Sequence, residues 1–95
     1  MTIYELVKKL TNMSVTVAIL PYRDTDHKNV GFRVSMVDEL TTKTYRKDFL
    51  YSKIEKLVGD EPNKFDSILF SILVSMKNQI IDERPKKLKE GENNG

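Results

Sequence analysis

The chain has 95 residues, of which 39% are hydrophobic and none is cysteine. This length suits one domain with one modest core, and the lack of cysteine excludes disulfides, thiolate nucleophiles and cysteine-based metal sites. Sixteen basic and fourteen acidic side chains leave a formal net charge of +2, far from the strongly basic balance of a dedicated nucleic-acid-binding protein. We therefore expect a soluble cytoplasmic protein with no secretion signal and no membrane span.

The first half of the chain predicts one helix followed by three strands. Thr2 and Glu5 have the spacing of a capping box, and apolar residues follow at helical spacing as far as Leu10. A β-branched run predicts the first strand over 14–20, and strict alternation predicts the second over 30–36. The third predicted strand, 42–49, is mostly polar, as is typical of an edge strand.

The last third of the chain predicts two helices. Ser52 and Glu55 repeat the capping spacing before a short helix, and Gly59 supplies its stop. A longer helix covers 65–81 and ends before Pro85. We expect one domain over residues 1–84 and a disordered tail over 85–95, where few apolar residues remain to offset the entropy of ordering. The fold class is α+β: an N-terminal helix, a three-stranded antiparallel sheet, and two C-terminal helices packed on one sheet face.

Apolar residues of the long helix divide into two stripes. The wider stripe predicts the face that packs on the sheet; it comprises Phe65, Ile68, Leu69, Ile72, Leu73, Met76 and Ile80. The strands and shorter helices are expected to complete this core with Val15, Val17, Ile19, Phe32, Val34, Met36, Leu6, Leu10, Ile54 and Leu57. The narrower stripe, Phe70, Val74 and Ile81, needs another cover. We expect either a protein partner, including a second copy of this chain, or the first helix folded back over it.

Residue patterns for catalysis, cofactors and metals are missing from the sequence. The loop after the first strand carries Asp24, Asp26, His27 and Asn29, but it fails the calcium-loop pattern, which requires an oxygen ligand at the fifth position, where Lys28 stands. No phosphate-binding glycine loop or nucleophile motif is present. We expect a solvated loop there, no bound cofactor or metal, and no enzymatic activity.

A basic segment on the third strand supports an alternative function in nucleic-acid binding. Lys43, Tyr45 and Lys47 would share one strand face, and Arg33 and Arg46 would add positive charge nearby. A tyrosine among cations can stack a base and hold phosphates. The competing interpretation is that these cations protect an edge strand from pairing with other chains, and we favour it because one tyrosine makes a poor stacking platform.

Two segments carry a resemblance to a known group of proteins. The opening MTIYELVKKLTN leads directly into SVTVAI, and SILFSILVSMKN forms much of the last helix. Together with the order of elements, they resemble small phage-encoded accessory proteins, including type II-A anti-CRISPR inhibitors of RNA-guided nucleases. That resemblance implies a phage or mobile-element factor that binds a host protein or inhibits a defence nuclease. The best-known inhibitors of this type present an acidic, DNA-like surface, from which this positively charged chain departs.

Overall fold

A computed structural model describes residues 1–26 and 28–86 of the chain. It contains, in chain order, α1 (Ile3–Asn12), β1 (Val15–Arg23), β2 (Val30–Asp38), β3 (Lys43–Leu50), α2 (Tyr51–Val58) and α3 (Lys64–Glu83). The predicted α+β fold and its order of elements are confirmed. His27 and most of the predicted tail, residues 87–95, lie outside the described residues.

The three strands form one antiparallel sheet in the order β1-β2-β3, with β2 in the centre. The register places Val17 and Tyr45 on either side of Met36, so these side chains share one sheet face. Arg33, between the buried residues Phe32 and Val34 of β2, points to the opposite face because successive side chains of a strand alternate sides. The sheet therefore has one mainly apolar face and one mixed face.

All three helices contribute to a core on the apolar face. Its fully or nearly buried members are Leu6, Leu10, Val15, Phe32, Val34, Met36, Tyr45, Ile54, Leu73, Met76 and Ile80. The side chain of Phe32 stacks on Phe49, with ring centroids 5.3 Å apart, and meets the edge of Phe65 at 5.8 Å. These contacts join the sheet to the start of α3, and the fold has two layers, helices on sheet.

A buried ion pair connects the ends of several elements. The guanidinium of Arg84, immediately after α3, donates from Nε to Asp38 Oδ2 and from Nη2 to Asp38 Oδ1, both at 2.9 Å. Nη2 also donates to the carbonyl of Met13 at 2.6 Å. Both charged side chains are fully buried. The pair thus joins the end of β2, the end of α3 and the turn between α1 and β1.

Asp38 also shapes the hairpin between β2 and β3. Its Oδ1 accepts from the Leu40 N–H at 3.0 Å, and its carbonyl accepts from the Thr42 N–H at 2.7 Å. Thr42 has a φ of 64°, a region that β-branched residues rarely adopt. The hydrogen bonds of Asp38 help hold this turn in its strained conformation.

Several element boundaries differ from the sequence predictions by one to three residues, and two of these differences have a clear structural cause. β1 continues through Pro21 to Arg23, because an edge strand tolerates a residue without an N–H to donate. The predicted cap at Ser52 is wrong, since α2 follows β3 without a connecting residue and begins at Tyr51. One of the two hydrogen bonds of the capping box predicted for α1 is confirmed: Thr2 Oγ1 accepts from the Glu5 N–H at 3.1 Å.

Two predicted core residues are exposed. Ile19 is 49% exposed and Leu57 is 64% exposed. Ile19 lies on the apolar face, but β1 is an edge strand, and Pro21, the next residue on that face, is exposed as well. Leu57 follows the apolar pattern of α2, yet the short helix buries only Ile54. The prediction that both residues close the core is therefore wrong.

We predict that Asp38→Asn lowers the free energy of unfolding by about 3–5 kcal/mol, because it leaves the charge of Arg84 buried without its counterion. Urea denaturation monitored by circular dichroism measures the loss. Asp48→Asn is the matched control, since its pair with Arg33 is about one-third exposed and such pairs contribute about 0–1 kcal/mol. Adding Arg84→Met to Asp38→Asn should restore part of the stability. Equal losses in the two single variants would contradict the prediction.

We also predict that stability falls as the pH drops below about 4, the ordinary value for aspartate. Burial by itself would raise the pKa of Asp38, but hydrogen bonds from Arg84 and the Leu40 N–H outweigh it and hold that pKa below its usual range. The unfolded chain therefore binds a proton more readily than the folded chain, so this stabilisation is present above pH 4 and is lost in acid. Urea titrations between pH 2 and pH 7 should show a smaller acid loss in the Asp38→Asn, Arg84→Met variant than in the parent.

Candidate protein-binding surface

α3 has a buried side that packs on the sheet, an exposed polar side, and two half-buried apolar flanks between them. Leu73, Met76 and Ile80 face the sheet and are fully buried, whereas Ser67, Ser71 and Ser75 lie on the opposite side and are exposed. Between these two faces, the flanks of the helix carry half-buried apolar residues. The predicted wide stripe therefore divides into a buried centre and partly accessible edges.

One flank of α3 forms an open groove with β3 and α2, which we call the lysine-rimmed groove. Its volume is about 530 Å³, and its lining residues are Lys47, Phe49, Leu57, Lys64, Ser67, Ile68, Ser71, Ile72 and Ser75. Phe49, Ile68 and Ile72 also pack against the core, so they form a firm floor. Leu57 forms one wall, which explains its exposure.

The other flank of α3 carries the residues that the sequence predicts to contact a partner. Phe70, Val74 and Ile81 are all half-buried. Phe70 and Val74 line a shallow depression that also includes the acidic side chains of Asp82 and Glu83. The predicted residues therefore lie on one accessible flank, and their role in binding stays a prediction.

α1 takes part in covering this second flank. Ile3 and Val7 pack against the same core as Phe70 and Val74, and the first residues of the chain share a surface cavity with Phe70. The predicted alternative, in which α1 folds back over Phe70, Val74 and Ile81, thus accounts for part of the cover of this flank. What remains accessible of Phe70 and Val74 lies toward the serines of α3.

The structure does not bring the five nucleic-acid candidates onto one surface. Lys43, Tyr45 and Lys47 lie on the helix-covered face of the sheet, while Arg33 and Arg46 lie on the opposite face. Tyr45 is 8% exposed, so its ring cannot stack on a base. Burial and the Glu83 carboxylate raise the pKa of Tyr45.

Two of the four candidate cations are engaged by carboxylates. Arg33 donates from Nε to Asp48 Oδ1 at 2.6 Å and from Nη2 to Asp48 Oδ2 at 3.1 Å. These hydrogen bonds lower the pKa of Asp48. Lys43 donates to Glu83 Oε1 at 2.8 Å, and its ammonium lies 5.1 Å from the centre of the Tyr45 ring. Phosphate binding by Arg33 or Lys43 would have to displace these contacts.

Comparisons with models of known families, with curated proteins and with solved structures gave no match. Within residues 1–26 and 28–86, no helix is long and apolar enough to cross a membrane. Among the same residues, no three or more histidine, aspartate or glutamate side chains are grouped so that they could hold a metal ion. In the predicted solvated loop, Asp24 accepts from Asn29 Nδ2 at 2.6 Å and from the Lys28 N–H at 3.1 Å.

The lysine-rimmed groove is the feature that sequence reasoning missed. Periodicity assigned Leu57, Ile68 and Ile72 to the core, since all three continue apolar stripes. Only the packing of α2 against α3 and β3 decides that these residues line an opening. The exposed serines on α3 were visible in the sequence, but they indicated no more than a polar face.

We predict no submicromolar binding of single-stranded DNA or RNA at physiological salt, because the candidate cations are divided between two faces and Tyr45 is buried. A mobility-shift assay checks this. Binding that falls steeply with salt and that disappears in the Arg46→Glu, Lys47→Glu variant would overturn it. Lys8→Glu with Lys9→Glu, on exposed positions of α1, is the control for the same change in net charge.

Proposed function

We propose that this protein works without catalysis, by binding another protein through the exposed surface formed by α3 and its two flanks. The role that fits is an accessory or inhibitory factor of a phage or mobile element, as the resemblance of its opening helix and strand and of its last helix implies. The partner is either a host or phage protein or a second copy of the chain.

The observation that supports this proposal most is the lysine-rimmed groove. Four large apolar side chains line it, those of Phe49, Leu57, Ile68 and Ile72. Leu57 is 64% exposed, although leaving such a side chain in water forgoes the free energy that its burial would supply. Concave apolar surfaces with a polar rim are typical of protein-binding sites.

Nucleic-acid binding by the sheet has less support. The exposed cation Arg46 lies on the open sheet face beside the Arg33–Asp48 pair, where the acid offsets part of the positive charge. The aromatic residue expected to stack on bases is buried beneath α3. Protein binding through the groove leaves both the Arg33–Asp48 pair and the buried ring of Tyr45 as they are.

We predict that Ser71→Arg with Ser75→Arg abolishes partner binding while leaving the fold intact. Both serines are exposed and line both flanking surfaces of α3, so long side chains there would obstruct both sides. Exposed helix positions accept such changes within about 0.5 kcal/mol. The control is Ser52→Arg, an exposed serine of α2 outside both surfaces.

The measurement begins with affinity capture from a host lysate and identification of the captured protein by mass spectrometry. That protein is then purified, and its binding to the parent and both variants is measured by surface plasmon resonance. We expect binding by the parent and by Ser52→Arg only. Equal binding by the Ser71→Arg, Ser75→Arg variant, or capture of nucleic acid alone, would contradict the proposal.

A further inference from the structure

We infer that the lysine-rimmed groove binds an acidic amphipathic helix of a partner protein. This inference rests on the proposed function and adds the site and the chemistry of the partner. It is drawn from the shape of the groove, the chemistry of its floor and the sign of the charges on its rim.

The shape of the groove favours a helix as its occupant. One wall is α3 from Lys64 to Ser75, a length of about 17 Å at 1.5 Å per residue. Ile68 and Ile72 lie one turn apart at the base of this wall, where they belong to the floor, and the small side chains of Ser71 and Ser75 lie beside them. Such a row accepts the ridge of a second helix, whose own side chains repeat every three or four residues.

The floor of the groove requires an apolar face on that helix. The apolar side chains of Phe49, Ile68 and Ile72 form the floor, and that of Leu57 lines the side formed by α2. The serine side chains of α3 in the lining are small and exposed. A helix with leucine or phenylalanine at one-turn spacing would bury the floor and leave these hydroxyls at the edge.

The rim of the groove determines the charge of the partner. Lys47 on β3 and Lys64 at the start of α3 are the charged residues that line it, and no acidic residue in the described part of the lining opposes them. The ammonium of Lys64 lies 3.6 Å from a Glu61 carboxylate oxygen, but both side chains are more than half exposed. Such a pair is weak and easily exchanged. Glutamates flanking the apolar face of a bound helix would lie against two cations.

Two synthetic peptides of about 14 residues, four helical turns, test the inference directly. They share one leucine face and differ only in carrying glutamate or lysine at every polar position. Fluorescence anisotropy of the labelled peptides measures binding to the folded protein. We expect the glutamate peptide to bind at least about tenfold more tightly, a ratio that corresponds to about 1.4 kcal/mol. Leu57→Ser should weaken it without unfolding the protein, because Leu57 is mostly exposed.

Charge reversal of the rim locates the site. Lys47→Glu with Lys64→Glu should reverse the preference in favour of the lysine peptide. Lys8→Glu with Lys9→Glu changes the net charge equally at exposed positions of α1, outside the groove lining, and should leave the preference unchanged. If both reversals act alike, the peptides respond to overall charge and the inference is wrong.

Other outcomes would overturn the inference. Neither peptide binding, or both binding equally, would exclude an acidic helix as the occupant. Sedimentation of the protein as a dimer that Leu57→Ser dissociates would assign the groove to a second copy instead. If the peptides fail while captured partner still requires Ser71 and Ser75, the proposed function stands and only the acidic-helix inference falls. If capture is also insensitive to those serines, both are wrong.

Discussion

The buried pair of Asp38 and Arg84 is the interaction on which the arrangement of the other elements depends. Its hydrogen bonds reach the Met13 carbonyl before β1 and the Leu40 N–H in the β2–β3 hairpin. Removing two charged groups from water is costly, and this cost is offset only while the two groups remain paired and hydrogen-bonded. The position of the end of α3 relative to the sheet is therefore tightly constrained. On the same helix, the apolar residues Leu73, Met76 and Ile80 pack on the sheet, and the serines on the opposite side are exposed.

Packing all three helices on one face has consequences for the rest of the surface. The opposite sheet face has no cover among the described residues, and its charges are arranged in local contacts such as Arg33 with Asp48. On the helical side, α2 is too short to cover both α3 and the edge strand β3. The lysine-rimmed groove occupies the space that α2 leaves. Its exposed apolar lining therefore results from the length of α2 and its direct junction with β3 at Leu50 and Tyr51.

Most of the secondary structure could be predicted from the sequence because its signals are local. The capping box at Thr2, the β-branched run after Ser14 and the positive φ at Gly59 depend on residues a few positions apart. Errors occurred where a neighbour in space overrides the local signal. Pro21 remains in a strand because β1 lies at the sheet edge, and Ser52 does not cap α2 because β3 runs directly into that helix.

The candidate site depends even more than the secondary structure on contacts between residues that are distant in the sequence. By itself the sequence determined the α+β class, the apolar stripes and the absence of cysteine chemistry, since periodicity and composition are properties of the chain. Only the tertiary structure decided that Asp38 meets Arg84, 46 positions apart, that Tyr45 is buried, and that Leu57 with Ile68 and Ile72 lines an opening. The physical reason is that burial and pairing are set by which elements pack together. An apolar side chain has the same pattern in the sequence whether its helix face meets the core or the mouth of a groove.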